Sequence, residues 1–160
     1  MDSHGDTNWE RLYRRSYPSV YRALVATLLD ADLASDALQD AFLDGLHRAP
    51  THDANVAGWL FRVAVRKAGR SRRRWKWLPL EAAAKVTAEG SQIDALLERL
   101  SVGQLLRLLT PRQRSIVVAY FYLDQTQEQI AELLGIRRGT VAATISQALM
   151  RMRKGEGHVQ

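Results

Sequence analysis

Apolar positions return every three or four residues in several separated blocks of this chain, the spacing that lines one face of an α-helix. Leu12, Tyr13, Tyr17, Val20, Tyr21, Leu24, Val25 and Leu28 make the first block. They predict a helix from about Asn8 to Leu29 with a buried stripe wide enough to seed a core. Pro18 stands inside it, and its missing N–H predicts a kink or a break. Asp30-Ala31-Asp32 offers a turn and a cap. A second helix is predicted from about Leu33 to Leu46, with Leu33, Ala37, Leu38, Ala41 and Phe42 pointing one way and Asp36, Gln39, Asp40 and Leu43 on another side. His47 to Asn55 reads as a loop by its Pro, Thr, Asp and Asn content. A third helix, starting near Asn55, carries Trp59, Leu60, Val63 and Ala64 on its core face and Arg62, Arg66, Lys67 and Arg70 on the complementary side.

The pattern dissolves from Leu78 to Ser91, where Pro79 and Gly90 punctuate a linker. It resumes with Ile93, Leu96, Leu97, Leu100, Leu105, Leu106 and Leu109. Thr110-Pro111-Arg112-Gln113 then has the order of a capping box with proline in the first turn, and Ile116, Val117, Tyr120 and Phe121 are the expected buried side. Thr126 with Gln129 repeats the box, ahead of Ile130, Ala131, Leu133 and Leu134. Gly135 is placed to end that helix in the left-handed conformation. A last amphipathic run carries Val141, Ile145, Leu149 and Met152. Two short helices around a glycine turn, with the small Ala131 at their approach, predict a helix-turn-helix whose second helix enters a DNA major groove. An ordinary helical hairpin in a bundle has the same pattern. The expected fold is all-α: a helical domain over residues 1–77, a linker over 78–92 and a second helical domain over 93–160.

Composition narrows the function. The chain has 160 residues, 46% hydrophobic, and no cysteine, which removes disulfides, thiol chemistry and cysteine-type zinc sites. His4, His47, His52 and His158 sit in expected tails or loops without carboxylates at ligand spacing, and no Gly-rich phosphate loop or nucleophile elbow occurs. An enzyme is therefore not expected, nor a cofactor or metal. No apolar run spans a bilayer and the N-terminus lacks an apolar signal core, so a cytoplasmic protein without membrane insertion is expected. The net charge of +6 and pI near 10.1 favour a polyanionic partner. Its distribution says more: Arg62 to Lys76 carries eight Lys or Arg and no acid, whereas Asp30 to Asp44 carries five aspartates and no base. The acidic run suits a solvated face or a protein partner. The basic helix suits nucleic acid or an acidic membrane surface, or it binds nothing. Its arginines beside Trp59, Trp75 and Trp77 favour phosphate contact with stacking on exposed bases.

Taken together in order, these segments resemble a bacterial sigma-70 family factor of the small, two-domain extracytoplasmic-function (ECF) type. The resemblance is carried by Asp36-Ala37-Leu38-Gln39-Asp40-Ala41-Phe42 and by Trp59-Leu60-Phe61-Arg62-Val63-Ala64 with the basic run after it. In the second half it rests on Leu109 to Arg114, Glu128 to Ile136 and Gly139-Thr140-Val141. It implies that domain 2 docks on the clamp helices of core RNA polymerase through Asp36, Gln39, Asp40 and Leu43. Arg62, Arg66, Lys67, Arg70, Arg72, Arg73 and Arg74 would then face the promoter −10 element and hold the separated strand. Domain 4 would bind the polymerase flap and lay its last helix in the −35 major groove. The factor would direct promoter-specific initiation without chemistry of its own. The family also suggests an anti-sigma factor as a partner, which no residue of this chain demonstrates.

Some positions depart from the family. Arg66 stands where asparagine is usual, and Arg70 and Arg72 stand where an aspartate and a leucine are usual. The usual cations are gone at Ala142, Thr144 and Gln147, and Arg137 replaces a capping serine, a loss of about 1 kcal/mol if nothing substitutes. Phosphate grip is then expected from Arg114, Arg137, Arg138 and Arg151, and base reading from Thr140, Thr144 and Gln147, with weak or unusual −35 recognition. These departures also keep a second reading open, a sigma-like co-regulator that binds polymerase without independent promoter recognition.

Overall fold

The computed structural model describes residues 3–48, 50, 55–75 and 101–157, and the side chains of 3–7, 72–75, 101 and 156 lie outside that description. Its elements are helices α1 (Ser3–Leu28), α2 (Ala31–Arg48), α3 (Val56–Trp75), α4 (Ser101–Arg107), α5 (Pro111–Phe121), α6 (Gln127–Leu134) and α7 (Arg138–Glu156). No strand occurs among the described residues, in keeping with the all-α expectation. The expected linker and the apolar positions Ile93 to Leu100 lie outside the described residues.

Helix α1 begins earlier than the periodicity predicts and runs through Pro18 without a break. Val20, Leu24, Val25 and Leu28 are buried as expected, but Tyr17 is exposed and the buried residues of the first turns include Trp9 instead. Leu29 ends the helix at φ 57°, and the Asp30 carboxylate accepts from Leu33 N at 2.9 Å to cap α2. That helix extends to Arg48, so His47 is helical rather than in a loop.

Trp9 is the pin of the first three helices. Its Nε1–H donates to Phe42 O at 3.1 Å, its ring stacks at 6.3 Å from Phe42, and it meets Trp59 edge-on at 5.5 Å. Gly45 is glycine because a Cβ there would come within 1.8 Å of the indole. Beside this group Tyr13 lies 4.4 Å from Phe42 and 5.6 Å from Tyr17. Burial, followed by the neighbouring Tyr17, pushes the Tyr13 phenol up to about 12. Trp59 is thus committed to packing rather than free to stack on bases.

Helix α7 packs on α4, α5 and α6, and in α5 the run Gln113 to Ala119 is buried without interruption. The Thr110 hydroxyl accepts from Gln113 N at 3.2 Å while Gln113 Oε1 accepts from Thr110 N at 3.1 Å, so the capping box forms as written. Phe121, expected to be buried, is 55% exposed, because α5 ends there and Tyr122 and Phe121 overhang its C-terminus. The two groups of helices do not stay apart. α1 packs on α5 and α4, and α3 packs on α6. Buried residues from both groups join one continuous apolar cluster, from Leu24 and Leu60 to Ile116, Ile130 and Val141.

Candidate nucleic-acid interface

Helices α6 and α7 make the expected helix-turn-helix. Thr126 Oγ1 accepts from Gln129 N at 3.1 Å, and Gln129 Oε1 accepts from Thr126 N at 2.9 Å. Gly135 takes φ 64°, which lets Ile136 N reach back to Ala131 O at 3.0 Å and close the helix end. Ile130 and Ala131 are buried against α7. On α7, Val141, Ile145 and Ala148 face inward, with Leu149 and Met152 half-buried. Arg137 holds the N-cap position with no side-chain bond, the expected loss of a cap.

The outward line of α7 is Gly139, Thr140, Ala143, Ser146, Gln147 and Met150. Thr140 and Gln147 are therefore presented as the sequence predicts. Thr144 is not: it is half-buried and its hydroxyl donates to Thr140 O at 2.7 Å. Arg137 and Arg138 are exposed, with Arg138 Nε held 2.9 Å from Glu128 Oε1. Arg151 Nη1 lies 3.4 Å from Gln113 Oε1. Arg114 does not fit the predicted phosphate role, being only 8% exposed within the buried run of α5.

In the first group, Asp36, Gln39 and Asp40 are exposed, and Leu43 is 53% exposed beside them. The acidic and basic runs also touch: Lys67 Nζ pairs with Asp44 Oδ1 at 3.0 Å, which ties α3 to α2 and removes Lys67 from the free cations. Arg66 and Arg70 are exposed. Arg72, Arg73 and Arg74 continue α3, with side chains outside the described residues.

Residues 12–78 match the family model of sigma-70 region 2, and residues 99–152 match that of sigma-70 region 4. The chain is 30% identical over 156 residues to the ECF RNA polymerase sigma factor SigM of Mycobacterium tuberculosis, covering 94% of this chain and 78% of that one. This chain belongs to the ECF group of the sigma-70 family. It is also 27% identical over 161 residues to the RNA polymerase sigma-E factor of Streptomyces avermitilis, covering 95% of this chain and 87% of the relative. The sigma factor RpoE of Bartonella quintana, solved in complex with the anti-sigma factor NepR, shares the fold with a TM-score of 0.68 at 14% identity, covering 92% of this chain and 95% of that one.

In this sigma factor the second group of helices covers part of the first group's basic helix. Phe61, Arg62 and Val65 of α3 face Ser115 and Ala119 of α5 and Ile130, Leu133 and Leu134 of α6 across a cavity of about 20 Å³. Arg62, predicted to meet promoter DNA, is half-buried there, and its Nε has no hydrogen-bond partner among the described residues. A polar tie closes the same seam. Asn55, at φ 73°, accepts from Gly58 N at 3.0 Å to cap α3, and its Nδ2 donates to Gln125 Oε1. Gln125 is buried and spends its own amide on Leu123 O at 3.2 Å. Gly58 leaves room for the pair, since a Cβ there would lie 2.7 Å from Gln125 Oε1. Sequence reading missed this tie; an Asn at the start of a helix was the available signal, and it does not name its partner.

Proposed function

We propose that this ECF sigma factor binds core RNA polymerase and directs it to specific promoters, assisting initiation and strand opening. The observation that carries the reading is the helix-turn-helix with an uncovered α7 face, in one chain with an exposed acidic face on α2 and a basic α3. Asp36, Gln39, Asp40 and Leu43 are the polymerase contacts, at the clamp helices, and the helix-turn-helix unit meets the flap. Arg66 and Arg70 contact the −10 region, continued by Arg72, Arg73 and Arg74. Arg137 and Arg138 grip phosphates around the −35 element, where Thr140 and Gln147 read bases. The division into residues 1–77, 78–92 and 93–160 belongs to this reading, with region 2 matched over 12–78 and region 4 over 99–152. Arg62 reaches DNA only when α5 and α6 leave α3, so binding polymerase and separating the two units belong to one event.

The protein acts in the cytoplasm without chemistry of its own, and an anti-sigma factor is a further partner by likeness to the Bartonella complex. The sigma names of the relatives leave the co-regulator reading unfavoured. Run-off transcription with purified core polymerase tests the proposal. Initiation at defined start sites should require this chain and disappear with Asp36→Lys combined with Asp40→Lys. If polymerase plus this chain starts nowhere that polymerase alone does not, the proposal is wrong.

A further inference from the structure

We propose that α7 selects A·T base pairs in the −35 element through an uncharged reading face in which Gln147 and Ala143 are the specificity-determining residues. The inference rests on α7 entering the major groove, as proposed above. Three features of the helix carry it. Its outward line from Gly139 to Met150 contains no cation. The cations sit at the two ends, where Arg138 is held by Glu128 at 2.9 Å and Arg151 lies 3.4 Å from Gln113. The third feature is Thr144, whose hydroxyl proton is spent on Thr140 O at 2.7 Å, so it can meet a base only as an acceptor.

What remains outward decides the chemistry. Guanine presents two acceptors, O6 and N7, best met by a guanidinium or ammonium, and neither stands on this line. Adenine presents an acceptor and a donor, which a glutamine amide matches with its own donor and acceptor; Gln147 is exposed to do so. Ala143 lies one helical turn before Gln147 on the same line, and its methyl has no polar option. Against a base edge it is complementary to the C5-methyl of thymine, a contact no other base offers. Ser146, between them, accepts either kind of pair. The arginines at the ends of α7 then position the helix on phosphates, while discrimination comes from a neutral amide and a methyl group.

Selection from a pool randomised across the −35 region, using holoenzyme formed from core polymerase and this chain, should recover A·T steps. Replacing thymine by uracil at those steps removes only the methyl group and leaves the protein untouched. For each contacted methyl, affinity should fall about fourfold, and holoenzyme carrying Ala143→Gly should not register the change. Gln147→Ala should lose roughly tenfold on the adenine-containing site and discriminate less against guanine. Recovery of guanine steps, or a parent holoenzyme indifferent to uracil, overturns the inference while leaving promoter-directed initiation standing. A holoenzyme that initiates from no selected sequence overturns the proposed function and this inference with it.

Discussion

Replacing Arg62 by methionine should make the free protein more stable and a poorer DNA binder at once. The Arg62 Nε is buried in the seam between α3 and α5–α6 without a hydrogen-bond partner among the described residues. A buried donor left unmade costs about 1–3 kcal/mol. The residue as a whole is only half-buried, which sets the cost near the lower end. Methionine keeps an unbranched stem against Phe61, Val65, Ala119 and Ile130 and introduces no donor. The gain should be about 1 kcal/mol, or roughly 2–4 °C in Tm for a chain of this size. Thermal unfolding followed by circular dichroism reads it. Arg66→Met is the control, because Arg66 is exposed and its loss should leave Tm unchanged. Both variants should weaken polymerase-dependent binding to promoter DNA, each lowering the salt slope by about 0.7–0.9 for one lost phosphate contact. An Arg62→Met protein that melts at or below the parent would refute the reasoning, since the donor would then be satisfied or the seam would not exist in solution.

Three other changes probe the framework. Gly45→Ala drives a Cβ to 1.8 Å from the Trp9 ring; it should cost about 1–3 kcal/mol by overpacking, and an unchanged urea midpoint would mean Trp9 is not seated there. Gln125→Ala leaves the Asn55 amide without its cross-seam acceptor, so stability should fall by about 1–2 kcal/mol; Asn55→Ala also loses the cap on Gly58 N, and a double-mutant cycle should show the two changes costing less together than their sum. The phenol of Tyr13, raised from 10.0 to about 12 by burial and then by Tyr17, stays neutral longer in the folded protein than in the unfolded one. Its contribution is intact below the unfolded value and lost as pH climbs through the folded one, so stability should decline between about pH 10 and 12. A decline equally steep in Tyr13→Phe would assign it elsewhere.

Local features were legible where a few neighbouring residues settle the physics. Both Thr/Gln capping boxes and the left-handed Gly135 formed as read, because each is closed by atoms within five residues. The acidic side of α2 is outward, as period and charge together imply. Of the kink or break expected at Pro18, the break did not occur, because Trp9 and Tyr13 before it, and Val20 and Leu24 after it, hold one continuous helix against its neighbours. Phe121 and Arg114 misled for a related reason. Helical period identifies an apolar stripe, but not where a helix end overhangs or how many sides of a helix are enclosed. The role of Ala143 was hidden by the same limit, since an alanine on an amphipathic helix reads as filler until its neighbour Thr144 is seen turned onto the backbone.

The seam itself explains why charge sorting could be read while its consequence could not. Opposite runs on α2 and α3 predict two surfaces, yet Lys67 and Asp44 join those helices, and the second helical unit then lies over Phe61, Arg62 and Val65. That cover is stabilised by apolar burial and by the Asn55–Gln125 tie, and it is opposed by the unpartnered Arg62 Nε. Opening exposes the apolar lining, a cost proportional to its area, but it also frees the guanidinium for a phosphate, an interaction stronger than a neutral hydrogen bond. DNA held at α3 therefore favours the open form by the affinity that the closed form withholds. A chain with a fully satisfied seam would lack that bias, and would depend on polymerase alone to part its two halves.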